Sequence, residues 1–524
     1  MTAGRDVAGP SVAGLSAAGL SAAGLSEAGW GAAGSALEPA ALVAELGELA
    51  GRWRLGAGGL DLARLTPEQA LRLAMRLSVR LGTDVRVPDV LRGGSLPELV
   101  ERAASWIPGG SAGVPVPLSH GQQRFLLDET LAPGQDDNHV ILAYRLSGPL
   151  DPEALTIAYG DVVERHPILR TIHYWDDEGA PLQRVLAPNR PPLPLTSPRP
   201  AADLCADWWD QPFDLEEHPP LRARLTQLSP DSWLLCLSMH HIVFDGRSEL
   251  ILLEDLGTAY AARTEGRAPG WPPVPGYHHY AQWEHDMVEH WASRDLPFWR
   301  DLLATDPPPL LPTPPDQAPR HEHEITLDPG TVGELSAAVR ARGAVPLASV
   351  LYGTARALGR VFGADRLNLA TIASGRFESV FNSVIGCFVN PVVLPFDSVR
   401  DGRPEDRVEE TARLTLRALR HARTPYDRLV RSLRPGAARP PLYEVMVALQ
   451  APLEAGTFGG TGIVVDPVRV RAPRASAPLV VEVEPQPDGG WSVAARWRED
   501  VVDERSGRAV VSEVADLLTG LRAP

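Results

Sequence analysis

The stretch Met239-His240-His241-Ile242-Val243-Phe244-Asp245-Gly246 constrains this chain more than any other, because it lies where a strand must hand over to a helix. The preceding run, Ser232-Trp233-Leu234-Leu235-Cys236-Leu237-Ser238, has the apolar and small residues of a buried strand. From Arg247 to Arg263 the apolar residues Leu250, Leu253, Leu256, Ala259 and Tyr260 recur at helical spacing. Such a turn presents side chains into a cleft. A neutral imidazole there can take or guide a proton near neutral pH, and Gly246 lets the backbone turn sharply or approach a ligand. Two plainer readings stand beside this one. The histidines could be a packed structural pair, or a metal site with Asp245, for which no third ligand stands at a suitable spacing.

A chain of 524 residues, 44% of them hydrophobic, can bury a large core and should hold more than one unit. Its net charge of −16 argues against a nucleic-acid partner, which needs a basic surface. Every basic residue is arginine, and 51 prolines and 47 glycines accompany them, a pattern of coding bias rather than a functional cue. Cys205, Cys236 and Cys387 are far apart and form no metal-type pair. Cys236 and Cys387 fall in apolar runs read as strands, so buried thiols and a reducing compartment are expected. No run approaches the ~18 apolar residues of a membrane span, and no secretory leader is recognisable. The expectation is cytoplasmic.

Residues 1–36 carry a drifting five-residue repeat, Ser16-Ala17-Ala18-Gly19-Leu20 and its copies, read as a flexible tail. Residues 37–107 read as a small helical bundle. Ala40 to Trp53 forms one amphipathic helix. Thr66-Pro67-Glu68-Gln69 opens a second, with Thr66 as cap and Gln69 reaching back. Ser95-Leu96-Pro97-Glu98 opens a last one in the same way. Residues 108–114 are a linker.

His-His-x-x-x-Asp-Gly at 240–246 resembles the active-site motif of the chloramphenicol-acetyltransferase-like superfamily, specifically the condensation domains of nonribosomal peptide synthetases. Further segments follow in family order. Ser119-His120-Gly121-Gln122-Gln123-Arg124-Phe125 resembles the opening helix, and Arg165-His166-Pro167-Ile168-Leu169-Arg170-Thr171 a later motif. Tyr277-His278-His279-Tyr280-Ala281-Gln282-Trp283, Ile385-Gly386-Cys387-Phe388-Val389-Asn390 and Thr424-Pro425-Tyr426-Asp427-Arg428-Leu429-Val430 complete the set. The resemblance implies an α/β (α+β) fold of two chloramphenicol-acetyltransferase-like lobes in a V-shaped pseudo-dimer. The expected lobes are 115–290 and 291–524, with the hinge near 285–320 and the small helical bundle in front. The chain ends in a helix, Ser506 to Leu521, with no adenylation domain after it, so a free-standing enzyme or short excised module is expected.

The 37–107 bundle resembles a peptidyl carrier domain by pattern. A working carrier needs a serine at the start of its second helix to bear phosphopantetheine, and that position falls at Pro67. Ser95 is read as a helix cap, since about twenty residues between it and Pro115 leave no room for the helices that would follow. The unit is therefore expected to be a carrier-like fold without its arm, used for docking or scaffolding.

The implied chemistry is amide formation between a carrier-bound donor acyl thioester and an acceptor amine. His241 would take the proton of the amine or hold it by a hydrogen bond, and His240 would point back and order the loop. Asp245 could polarise His241 in the manner of a triad; the family pattern instead pairs it with Arg376. The Gly246 N–H faces the thioester oxygen in this reading. Ser119, Gln122, Arg124 and Asn390 are assigned to the channel and crossover, Asn390 on a strand crossing between lobes. His278, His279, His285 and His290 are read as surface residues rather than a metal site. No cofactor is expected to bind; phosphopantetheine would arrive on donor and acceptor carrier proteins of an assembly line, docking on local arginine patches. Ester formation, transfer to a soluble acceptor, and a non-catalytic recruitment platform are the alternatives.

Overall fold

The computed structural model describes residues 65–521 except 82–84, 93, 105–112, 199–200, 273, 313–316, 437–440, 451–455 and 476, together with Val43, Leu46 and Leu62. The 1–36 tail, most of the Ala40–Trp53 helix and most of the 108–114 linker lie outside the described residues. Three helices come first: α1 (Pro67–Leu81), α2 (Val87–Leu91) and α3 (Leu96–Ala104). Thr66 and Gln69 exchange backbone-to-side-chain hydrogen bonds at the start of α1, of 2.9 and 3.2 Å. Ser95 and Glu98 do the same at the start of α3. Each box satisfies two otherwise orphaned helix donors.

Next come β1 (Pro115–Pro117), α4 (His120–Leu131), β2 (His139–Ser147), α5 (Pro152–Arg165), β3 (Thr171–Trp175) and β4 (Pro181–Val185). β5 (Leu195–Thr196), α6 (Ala201–Trp209), β6 (Leu221–Ser229), β7 (Ser232–His240), α7 (Gly246–Thr264) and α8 (Tyr277–Leu302) follow. The chain continues with β8 (Ala318–Leu327), α9 (Pro329–Ala341), α10 (Pro346–Phe362), β9 (Arg366–Ser374), β10 (Val389–Asp397), α11 (Pro404–Leu419) and α12 (Tyr426–Leu433). It closes with β11 (Val445–Leu449), β12 (Gly456–Thr457), β13 (Val464–Pro467), β14 (Arg474–Ala475), β15 (Leu479–Pro485), β16 (Trp491–Arg498) and α13 (Glu504–Gly520).

A six-stranded sheet, in the order β12-β13-β2-β7-β6-β5, forms one half, and a seven-stranded sheet, β10-β9-β11-β15-β16-β8-β14, forms the other. Each half owns an apolar core. One helix serves both: Trp283, Met287 and Trp291 of α8 belong to the first core, and Ala292, Leu296 and Trp299 to the second. Truncating one of these buried tryptophans removes roughly 3–5 kcal/mol of packing. The central strand β7 pairs with β2 and β6 along its length, so its C-terminal end, at His240, is held from both sides.

Three expectations need correction here. Asn390 does not lie on a crossing strand: β10 pairs with β9 throughout and stays in the seven-stranded sheet. The crossing is made by β12 and β13, which leave the second half: β13 pairs with β2, and β12 pairs with β13 at the sheet edge. The apolar run 385–390 gave no sign of this, because strand composition reports burial and not the partner. Cys387 sits in a loop before β10 rather than in a strand, whereas Cys205 and Cys236, far apart in sequence, have their sulfurs brought to 3.7 Å by the packing of α6 on β7. His278 is buried, not a surface residue, because the capped start of α8 points it inward, while His285 and His290 are exposed.

Candidate active site

Strand β7 ends at His240, a single 3-10 turn spans His241–Val243, and α7 begins at Gly246 with Asp245 as its cap. The local sequence makes this turn. Asp245 accepts from the Ser248 N–H, the usual way a carboxylate satisfies the first turn of a helix. His240 is fully buried, and its Nδ1 accepts from the Ile242 N–H at 3.0 Å while Nε2 approaches Glu129 Oε2 at 3.4 Å. It orders the loop from behind.

His241 points the other way, its ring stacked on Phe125 of α4 with centroids 5.1 Å apart and planes within 8°. Among the described residues it makes no hydrogen bond to another side chain. Burial pulls its pKa down, opposed by the Asp245 charge and its own backbone and reinforced by His240 and Arg124, so the ring is held neutral below its ordinary 6.5.

Asp245 is engaged elsewhere. Its Oδ2 accepts from Arg376 Nη1 at 2.6 Å and from the Phe388 N–H at 3.0 Å. Its Oδ1 accepts from Arg376 Nη2 at 3.1 Å and from the Ser248 N–H and Oγ at 2.8 and 2.7 Å. Burial alone would raise this carboxyl, but the Arg376 charge and the surrounding donors outweigh it and hold the pKa below the usual range. The partners come from both halves, so this ion pair fastens α7 to the segment joining β9 and β10. Its lone pairs are spent there, which leaves the triad arrangement with His241 unformed.

Gly246 opens α7 and is exposed; a Cβ there would make only ordinary contact, with Gln450 Oε1 at 4.0 Å. Ser119 caps α4 and its Oγ meets Tyr277 Oη at 2.8 Å. Gln122 does not line a channel. It is buried in a polar network, accepting from the Ser119 N–H and Gln183 Nε2 and standing 3.1 Å from His173, with its amide directed at the Ile242 carbonyl. Helical periodicity at 119–125 could not reveal this, because the partners lie on β3 and β4. Burial drives His173 down to about 3, so its ring meets Gln122 uncharged.

Arg124 lies over the Phe125 ring and lines an interlobe pocket of about 470 Å³, opening included, with Ser119, Glu284, Phe388, Asn390 and Asp427. Asn390 stands in the pocket wall and also holds a loop: its Nδ2 donates to the Ala422 and Thr424 carbonyls, and its Oδ1 accepts from the Tyr426 N–H. Arg165 and His166 both grip Asp255 of α7, at 2.9 and 2.7 Å, and so anchor the helix that follows the histidine loop.

Sequence reasoning missed Ser248. Its Oγ donates to Asp245 and accepts from Arg376 Nη2 and the Gly386 N–H, both near 3 Å. The Asp-x-x-Ser spacing of a capped helix start was the available signal. Glu129 and Phe125, behind and beside the histidines, were legible only as helix residues.

The profile of the Condensation domain family matches residues 114–521. The chain is 32% identical over 355 residues to a dimodular nonribosomal peptide synthase of Bacillus subtilis, covering 64% of this chain and 15% of that protein. It is 32% identical over 433 residues to the phosphinothricin tripeptide synthetase PhsB of Streptomyces viridochromogenes, covering 76% of this chain and 35% of that protein. The chain thus spans about a third or less of the length of these curated relatives. Among solved structures, it superposes on the first condensation domain of the calcium-dependent antibiotic synthetase with a TM-score of 0.67 at 22% identity, over 78% of this chain and 97% of that one. The X-domain of teicoplanin biosynthesis, solved in complex with OxyB, gives 0.66 at 24% identity, over 77% and 93%. These likenesses show the two-lobed chloramphenicol-acetyltransferase-like fold. No described helix is long and apolar enough to cross a membrane. The chain belongs to the condensation-domain family of nonribosomal peptide synthetases.

Proposed function

We propose that the protein joins a donor acyl thioester to an acceptor amine, each delivered by a carrier protein. The observation that carries this reading is His241: a neutral imidazole on the loop from β7 to α7, stacked on Phe125, with its carboxylate neighbour committed to Arg376. The amine nitrogen attacks the thioester carbonyl, the C–N bond forms, and the C–S bond breaks. The amine proton leaves by way of His241 Nε2 and the released thiolate takes up a proton. His241 either accepts that proton or holds the amine by a hydrogen bond, and both roles need the neutral ring. Asp245 and Arg376 fix the loop across the halves. The exposed Gly246 N–H is the group we assign to the developing oxyanion. Phosphopantetheine belongs to the carriers in this reading, and Pro67 leaves α1 without an attachment hydroxyl.

Intact-mass spectrometry of a carrier-bound acceptor, incubated with donor carriers, tests the reading. A condensed product on one carrier, reduced about 10²–10⁴-fold by His241→Ala, is the expected result. The rate should hold as pH falls through 6.5 and drop only at more acidic pH, once the lowered pKa of His241 is crossed and the ring becomes protonated. An ester product or a soluble acceptor would redirect the assignment. Carrier binding without product from any donor would point to a recruitment platform.

A further inference from the structure

The helices α1 to α3 do not stand apart from the catalytic halves. Arg72 of α1 reaches Glu378 Oε2 at 3.0 Å, and Glu378 Oε1 accepts from Arg423 Nη2 at 3.1 Å. Glu378 is buried, with its side chain only 3% exposed. Among the described residues, these two arginines are its only side-chain partners. A carboxylate in such surroundings depends on its paired cations.

The position of Glu378 gives the clasp its consequence. It lies two residues past Arg376, on the same irregular segment, 375–388, that leaves β9 and returns to β10. That segment supplies three of the groups locking the histidine loop: Arg376 and the Phe388 N–H on Asp245, and the Gly386 N–H on Ser248. It has little room to move. A Cβ at Gly375 would meet the Phe388 carbonyl at 2.7 Å and Tyr280 Oη at 2.9 Å. Arg423 stands at the other end of the clasp, beside the Ala422 and Thr424 carbonyls that Asn390 holds.

The surrounding packing is continuous. Leu71, Met75 and Val90 belong to the same apolar cluster as Trp283, Met287 and Trp291 of α8. Glu68 also acts favourably on Arg294 of that helix, while Arg86 and Asp89 act in opposite senses on Asp286.

We propose that the α1–α3 unit is a built-in brace for the active site. Arg72 is a positioning residue that acts through Glu378 to hold segment 375–388, and with it the grip of Arg376 on Asp245. The carrier-like fold has become a wall of the synthetase unit. The kinetic part of this proposal rests on the condensation reading; the structural part does not.

Hydrogen–deuterium exchange of the full chain, wild type against Arg72→Ala and Glu378→Gln, reads the brace directly. The Gly386 and Phe388 amides should exchange about tenfold faster in both variants, while those of β2 and β7 keep their rates. In the same preparations kcat for condensation should fall about tenfold with KM for the donor carrier unchanged. Arg72→Lys should restore part of it. Unchanged exchange at 386 and 388 in both variants would overturn the proposal, as would acceleration spread evenly over both sheets. A wild type that makes no product, but shows the local acceleration in the variants, would remove the condensation reading and leave the brace standing.

Discussion

Two aspartate–arginine pairs tie the halves together, and they behave in opposite ways. Asp245 with Arg376 lies inside, with side chains 3% and 5% exposed. Asp136, just before β2, meets Arg474 of β14 at the rim, where the carboxylate is buried but the arginine is 37% exposed. Burial pushes both carboxyls upward. At Asp136 it wins despite Arg474, helped by the charge of Asp137, and the pKa is raised. At Asp245 it loses and the pKa is lowered. The difference lies in the donors. Asp245 collects the two arms of Arg376, the Phe388 N–H, and both the N–H and hydroxyl of Ser248. Among the described residues, the donors to the Asp136 carboxylate all come from Arg474, at 2.9, 3.1 and 3.4 Å. A buried ion pair is thus favourable only when its remaining lone pairs are also met.

The comparison makes its strongest claim at Arg376. Arg376→Ala strands a buried carboxylate and should cost about 3–5 kcal/mol in urea denaturation. Ser248→Ala removes the hydroxyl that links Asp245, Arg376 and Gly386, and the same measurement should register about 1–3 kcal/mol. Arg474→Ala should cost about 1 kcal/mol or less, because its guanidinium is already half in water. Equal losses at Arg376 and Arg474 would break the comparison.

The smallest effect, and the sharpest in sign, lies in the acid limb. Asp245 has a depressed folded pKa, so its contribution is complete above the ordinary carboxyl value of 3.8 and is lost as pH falls through the lower folded value. Asp136 has a raised folded pKa. Its ionised form weighs against folding above that value, and acid relieves it as pH falls toward 3.8. Urea midpoints measured from about pH 5 to pH 3 should therefore show a shallower acid loss in Asp245→Asn and a steeper one in Asp136→Asn.

Much of the histidine loop was readable from composition. Apolar residues through Ser238, a helical pattern after Arg247 and a cap-competent aspartate between them describe a strand, a turn and a helix, and the structure contains β7, a 3-10 turn and α7 there. The capping boxes at Thr66 and Ser95 were legible for the same reason: their partners stand three residues away. Gln122 was misplaced, and the loop-holding bonds of Asn390 went unseen, because their partners are remote. Their amides are occupied by groups on β3 and β4 and on the 422–426 turn, a commitment no local pattern displays.

The same division runs through the whole molecule. Local rules acting over a few residues, such as caps, periodicity and strand composition, depend only on the order of side chains, so the sequence by itself determined the elements and the motif set that marks the family. The inward turn of His278, the approach of Cys205 to Cys236, the passage of β12 and β13 into the first sheet, and the clasp of Arg72 on Glu378 were decided by tertiary structure alone. Each depends on which surfaces meet when two apolar cores close around one shared helix. That choice is made by burial summed over the whole chain, not by any segment of it.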